Sequence, residues 1–325
     1  MLHPDKPALI LAPMDGFTDS PMRALQGEFG AFDFAVSEFV RVSSGPVPEK
    51  VFHREIPELL RGGLTVTGMP VQVQILGGSP ELMAESAVNA CRAGARAVDI
   101  NFGCPAPTVN RHDGGASILQ YPKRVRAIVG AVRQAVPAEI PVSAKLRLGW
   151  SEIDEIDQTA AMAAEGGADW LVIHARTRLQ KYKPPVFWKS IGRVKSDLGI
   201  PIVANGDLWS LDDFYQCREE TGCLHYMLGR GALADPRLAP QIARILRSQA
   251  FDGPGEVDWA DLLRRLSYHS QKQTASRAKK TLHRLKQWLN LASRFGDFSH
   301  FQEVKRAQTE ADLLALLAAV TSQRS

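Results

Sequence analysis

Several things are missing from this 325-residue sequence, and each absence narrows what the chain can be. No apolar run reaches the length of about 20 residues that a membrane-spanning helix needs. The opening stretch MLHPDKPALILAPMDG has neither the basic region nor the apolar core of a secretory signal, so a cytoplasmic protein with no membrane partner is expected. The four cysteines, Cys91, Cys104, Cys217 and Cys223, show no CxxC or other metal-ligand spacing. Free thiols in a reducing compartment fit this usage, and no metal site is expected. A GxGxxG turn after the first strand is also missing, which counts against an open, doubly wound dinucleotide-binding sheet.

What is present is ordinary globular material, 45% hydrophobic and 23% charged, enough for one large core and a smaller one. Short apolar, β-branched runs recur at Ala8–Leu11, Phe34–Val36, Val71–Ile75, Ala97–Asn101, Val142–Lys145, Trp170–His174, Ile202–Asn205 and Tyr226–Leu228. Amphipathic stretches separate them, at Pro21–Phe29, Pro80–Ala93, Pro122–Ala135, Glu155–Glu165, Trp188–Leu198, Leu211–Glu220 and from about Pro236. Only the segment between the second and third runs is irregular. Ser79 before Pro80 reads as a helix N-cap, and Gly94 and Gly166–Gly167 read as helix stops. Eight strand-helix units over roughly 240 residues is the length of a (β/α)8 TIM barrel. After Phe251–Gly255 only helical periodicity remains. The expected architecture is therefore α/β: a barrel over 1–250, followed by a small all-α domain over 256–325.

In such a barrel, chemistry gathers where the strands end, because the following loops converge over one mouth. The endings here are Pro13-Met14-Asp15, Glu38, Gln74, Asn101 to Cys104, Lys145 with Arg147, His174 with Arg176, Asn205-Gly206-Asp207 and Gly229-Arg230-Gly231. A full ring of such polar groups is hard to explain as packing. The last two loops, ANGD and LGRG, sit where barrels often grip a phosphate. Their glycines admit close backbone approach, and Arg230 adds charge-assisted donors. Lys145 is placed to face an anionic ring system, although a Schiff-base lysine or the partner of a core carboxylate is also open. Gln74 and Asn205 can bond the edge of a planar heterocycle.

Cys91 and Cys217 fall within helices and read as packing residues; Cys223 has no constellation around it. Cys104 differs, because Gly103 frees the backbone before it, Pro105 stiffens it after, and cations converge nearby. Such a thiol serves as a nucleophile or a proton donor.

Charge is unevenly spread. The net charge is +4, yet 257–325 carries twelve basic and six acidic residues, so 1–256 is mildly acidic. Leu262–Lys286 holds eight basic residues and no acidic one: Arg264, Arg265, Lys272, Arg277, Lys279, Lys280, Arg284 and Lys286. A one-sign block attracts polyanions, and Arg277, Lys280 and Arg284 share one helical face.

The stretches LAPMDGFTD, VQVQILG, DINFGCPAPTVNRHDGGASIL, AKLRLGW, VIHARTRLQKY, IVANGD and MLGRGAL occur in this order. Together they resemble the tRNA-dihydrouridine synthase family. SEFVRV and LHRLKQWL are further similar to its C subfamily (DusC-like), which acts on uridine 16 of the D-loop. The resemblance implies an oxidoreductase that is NADPH-dependent and holds flavin mononucleotide (FMN) over the barrel mouth. Pro13, Met14, Asp15, Gln74, Lys145, Asn205, Gly206, Asp207, Gly229 and Arg230 match flavin contacts, and His174 matches a histidine near flavin and base. Cys104 matches the proton donor. Asn101, Arg147 and Tyr182 match residues that touch RNA. Arg41, Arg284, Lys286 and Lys305 match positions that orient tRNA in the C subfamily. Lys305 departs from the arginine expected there, keeping the charge but losing the bidentate fork. The resemblance also implies a monomer.

Two other functions use parts of this pattern. An FMN-dependent reductase of a small pyrimidine or enoate needs the same barrel and phosphate grip but no basic helical domain. A non-catalytic RNA-binding barrel needs the basic block but not the ring of site residues with Cys104.

Overall fold

A computed structural model describes residues 1–250, 255–271 and 278–321. The strands are β1 (Ala8–Leu11), β2 (Phe34–Val36), β3 (Val40–Arg41), β4 (Val71–Leu76), β5 (Val98–Asn101), β6 (Val142–Arg147), β7 (Trp170–His174), β8 (Ile202–Asn205) and β9 (His225–Leu228). All pairings among them are parallel. The order runs β2-β1-β9-β8-β7-β6-β5-β4, and a β2–β4 pairing, Ala35 opposite Val71, closes the ring. The short β3 pairs with β4 alone. Eight strands therefore make the expected barrel.

The helices between them are α1 (Ser20–Glu28), α2 (Glu49–Glu55), α3 (Pro80–Arg92), α4 (Pro107–Asn110), α5 (Pro122–Ala135), α6 (Glu155–Glu165), α7 (Trp188–Asp197), α8 (Leu211–Thr221), α9 (Arg230–Ala234) and α10 (Leu238–Leu246). Local chemistry sets several of their ends. Ser79 caps α3 by accepting from the Leu82 N–H, with Pro80 in the first turn. Ser210 and Asp213 form a reciprocal capping box on α8, which Gly222 ends in the left-handed conformation. The irregular segment after β2 resolves into β3, α2 and a 3-10 turn at Pro57–Arg61. The helix expected from about Pro236 is α10, and the short α9 precedes it directly after β9.

Strand alternation explains the mouth. Outward positions of β4–β9, such as Val73, Ile100, Ala144, Ile173, Ala204 and Leu228, join the large core beneath the helices. The inward positions divide the interior in two. Ile10, Phe34, Val36, Trp170, Val172, Val203 and Met227 form an apolar half, with Phe34 and Trp170 edge to face. Gln72, Gln74, Asp99, Asn101, Ser143 and Lys145 form the polar half, on β4, β5 and β6. One inward polar group every second residue is what lets a buried strand carry chemistry without exposing backbone.

The C-terminal helices are α11 (Trp259–Gln271), α12 (Ala278–Phe295), α13 (Phe301–Val304) and α14 (Glu310–Thr321). They build a second core around Leu263, Leu285, Trp288, Leu289 and Leu313, which also takes in Met22 and Leu25 of α1 and Leu233 of α9. The helical region is thus seated on the barrel. Trp288 Nε1 donates to the Leu233 carbonyl at 2.8 Å, and a Cβ at Gly296 would lie 2.2 Å from the Ala234 oxygen. Glu28 on α1 accepts from Arg265 Nε at 2.6 Å and lies 2.7 Å from His269 Nε2. No described helix is long and apolar enough to cross a membrane.

Candidate active site

A cavity of about 690 Å³ opens at the C-terminal ends of the strands. That lies within the range of small-molecule and cofactor sites. Its walls bring together Pro13, Met14, Asp15, Arg41, Gln74, Asn101, Cys104, Lys145, Arg147, His174, Tyr182, Asn205, Gly206, Asp207, Gly229 and Arg230.

Cys104 is held from three directions. Asn101 Oδ1 accepts from the Gly103 and Cys104 N–H groups, each at 2.9 Å. The Cys104 carbonyl accepts from Ala116 N at 3.0 Å and Asn110 Nδ2 at 2.9 Å. Arg147, almost fully buried, donates to the Gly103 carbonyl at 2.7 Å and to the Lys181 carbonyl at 2.8 Å, tying this loop to the one after β7. Gly115 backs the loop at a φ of +61°, where a Cβ would sit 2.9 Å from the Cys104 oxygen. Burial raises the half-buried thiol above its ordinary range, so it stays protonated at neutral pH.

Below it lies a buried network. Gln74 donates to Asp99 Oδ2 at 2.6 Å and accepts from Asn101 Nδ2 at 2.8 Å. Ser143 donates to Asp99 Oδ1 at 2.5 Å. Burial pushes Asp99 up to about 6, against these donors. Desolvation and the neighbouring Arg147 push Lys145 down to about 8. Lys145 Nζ donates to Asn205 Oδ1 at 3.1 Å and makes no ion pair among the described residues. Desolvation and then Arg147 and Lys145 lower His174 well below its usual range, leaving a neutral ring.

The loops after β8 and β9 meet at Asp207. Its carboxylate pairs with both terminal nitrogens of the buried Arg176 and lies 3.5 Å from Arg230 Nη2. Gly206 has a φ of +117°, and a Cβ there would stand 2.6 Å from His174 Cδ2. The Arg230 guanidinium lies 4.6 Å from the Tyr182 ring centre. Lys145, Arg147, Arg176 and Arg230 thus outnumber the carboxylates among them, and the cavity suits an anion. Its donor chemistry fits a phosphorylated planar heterocycle: a cation with no carboxylate partner at the ring end, and an arginine beside close-packed glycine turns at the other.

Three expected RNA contacts lie elsewhere. Arg284 turns inward to the Gly16 and Phe17 carbonyls and to Asp19 at 3.0 Å, clasping the first loop to α12. Lys286 donates to the Ala307 carbonyl, and the exposed Lys305 bonds Gln302. Lys272 and Arg277 lie outside the described residues, as do the side chains of Lys279 and Lys280. The apolar run in the sequence ends at Lys145, but β6 runs on to Arg147, placing both cations on one inward face. Asp99 joins the site although it is not a strand ending; its inward position two residues before Asn101 is the sequence signal for it. From α12, Gln287, Asn290, Leu291, Arg294 and Phe295 line the mouth at helical spacing, beyond the basic block.

A closed parallel barrel with a protonated thiol and a cationic cavity at its mouth defines an enzyme of the (β/α)8 class. Solved structures share the fold. Histamine dehydrogenase from Rhizobium sp. 4-9 superposes with a TM-score of 0.56 at 13% identity, over 81% of this chain and 49% of that one. An old yellow enzyme homologue from Zymomonas mobilis gives 0.52 at 12%, over 77% and 91%. The chain belongs to the dihydrouridine synthase family, whose model matches residues 10–324. Among its relatives, the tRNA-dihydrouridine(16) synthase of Aquipseudomonas alcaligenes is 42% identical over 95% of this chain and 98% of that protein. Proteins of the same description from Shewanella oneidensis and Cupriavidus necator are 44% and 43% identical, each over 88% of this chain and 89% and 88% of their own length.

Proposed function

We propose that this protein reduces uridine 16 of tRNA to 5,6-dihydrouridine, using bound FMN recycled by NADPH. The observation that carries the reading is Cys104, a neutral thiol on a tightly held loop, opening onto the same cavity as Lys145 and Arg230. Family membership and the description shared by the relatives support the substrate.

Pro13, Met14 and Asp15 would line one wall of the flavin site, with Gln74, Lys145 and Asn205 at the ring. Gly206, Asp207, Gly229 and Arg230 would take the phosphate, Asp207 through its backbone because its carboxylate holds Arg176. When bound, FMN supplies a hydride for C6 of the uracil ring and NADPH restores it. Cys104 Sγ gives its proton to C5, completing addition across the C5–C6 bond, and regains a proton from solvent. Lys145 and Arg147 face the negative charge that passes from the ring to the sulfur. His174, held neutral, can orient the base without adding another cation.

A base stacked inside folded tRNA cannot reach this cavity and must be extruded, at a cost of a few kcal/mol. Phosphate contacts by the basic helical region and by Arg41 at the cavity rim would offset that cost and fix which nucleotide arrives. Asn101, Arg147 and Tyr182 lie where the extruded nucleotide would enter. Arg284 and Lys286 act on this surface through the backbone they hold, and the exposed Lys305, bonded only to the neutral Gln302 side chain among the described residues, would meet phosphate. A tRNA substrate supports a cytoplasmic location, and the family resemblance supports a monomer.

The test is to incubate unmodified tRNA transcripts with the FMN-loaded protein and NADPH, then map dihydrouridine by position. Dihydrouridine at position 16 is expected. Its appearance at another position would overturn the site assignment, and turnover of free uridine in preference to tRNA would overturn the substrate.

A further inference from the structure

Arg230 has an unusual setting for a half-buried cation at the cavity mouth. Its guanidinium carbon lies 4.6 Å from the Tyr182 ring centre, 4.9 Å from Trp209 and 5.4 Å from Phe295. Trp209 and Phe295 stack on one another at 4.9 Å with their planes 16° apart. The three rings come from three places: the loop after β7, the loop after β8, and the last residue of α12. Its only hydrogen-bond partner among the described residues is Asp207, at 3.5 Å, and that carboxylate is already bound to Arg176. Most of the five donors of this guanidinium are therefore free to meet a ligand.

Aromatic faces attract a cation without carrying a formal negative charge. A carboxylate in their place would orient Arg230 equally well but would repel a phosphate arriving at the same point. Rings hold the guanidinium plane while leaving most of its charge to the ligand, since its one carboxylate neighbour among the described residues, Asp207, is already paired with Arg176. We propose that Trp209 and Phe295, with Tyr182, form an aromatic sleeve that presents Arg230 to the flavin phosphate, so that cofactor retention depends on a residue of the helical region. This rests on the reading that Arg230 takes that phosphate. Trp209 and Phe295 are positioning residues, acting through Arg230.

Comparing FMN with riboflavin, which lacks the phosphate, tests the sleeve. Full-length protein stripped of flavin is titrated with each ligand and followed by flavin fluorescence. The unaltered protein is expected to prefer FMN. Phe295→Leu and Trp209→Leu should each weaken FMN by about tenfold, with riboflavin affinity unchanged. Trp209→Phe and Phe295→Tyr, which keep an aromatic face, should retain the preference even if a leucine variant fails to fold. In an Arg230→Lys background, Phe295→Leu should add little, because the fork it orients is gone. Equal weakening of both ligands, or an FMN preference untouched by the leucine variants, would overturn the sleeve while leaving the phosphate reading standing. An unaltered protein that binds the two flavins alike would overturn the phosphate reading itself, and the sleeve with it.

Discussion

Asn101→Ala separates two roles that this side chain can fill, touching RNA or holding the Cys104 loop. The side chain accepts from Gly103 N and Cys104 N, each at 2.9 Å, and donates to Gln74 Oε1 at 2.8 Å. Alanine removes all three bonds and leaves Gln74, which is fully buried, with an unpaired oxygen. Each bond contributes on the order of 1 kcal/mol net, and a buried unpaired group costs about 1–3 kcal/mol. The two loop N–H groups face the cavity and can take water, so we assign about 2–3 kcal/mol to loss of the ordered loop. That energy corresponds to a slowing of roughly 30- to 150-fold if the thiol must sit in its ordered position to react. Stopped-flow measurement of the two half-reactions reads this directly. Flavin reduction by NADPH should be unchanged, whereas reoxidation by saturating tRNA should slow by that factor. The half-saturating tRNA concentration should move little. An unchanged reoxidation rate with a raised half-saturating concentration would refute the loop-holding role and leave Asn101 as an RNA contact.

Cys104→Ala should leave bound flavin and tRNA affinity intact and slow uridine-dependent flavin reoxidation by about 10²- to 10⁴-fold, the usual contribution of a placed general acid; full activity would remove the thiol from the reaction. Gly206→Ala imposes a left-handed strain of about 1–3 kcal/mol and drives a methyl against His174. Its melting temperature and its bound-flavin content should both fall, and a variant that keeps both would show that the turn relaxes freely. Glu38 has a buried carboxylate oxygen with no hydrogen-bond partner among the described residues, and burial raises the group from the ordinary 4.5 to about 7. Asp19 and Asp15 add to the rise, while Arg23 and Arg284 oppose it. The folded state therefore holds this proton more tightly than the unfolded state. Its stabilisation is complete below pH 4.5, declines as pH rises toward 7, and becomes a fixed penalty above. Glu38→Gln should stabilise the fold at pH 8 by at most about 3 kcal/mol given solvent screening, read as a higher melting temperature, and change little at pH 5. Equal shifts at the two pH values would contradict this assignment.

The barrel strands were legible because each is buried on both sides, so apolar outward residues alternate with whatever the interior needs. VQVQI and VSAKLR show this: Val71, Val73, Ile75, Val142, Ala144 and Leu146 face the helices, while glutamine, serine, lysine and arginine point inward. Turn chemistry made the helix limits legible, as at Ser79-Pro80 and Ser210. The irregular stretch after β2 was not legible. A two-residue strand paired on one side only has too few residues to show a period.

The order of apolar runs, the polar strand endings, the thiol between Gly103 and Pro105, and the excess of positive charge near the C-terminus all follow from the amino-acid sequence, because each is a property of neighbours in the chain. The sequence could not say which carbonyl or ring each cation would meet. Arg284 and Arg230 are alike in composition, yet one is spent on the Gly16 and Phe17 carbonyls and the other stands among three rings with most of its donors free. That difference arises only when the barrel loops converge and α12 docks on them, since partners far apart in the chain come within hydrogen-bond or ring-contact range solely through tertiary packing.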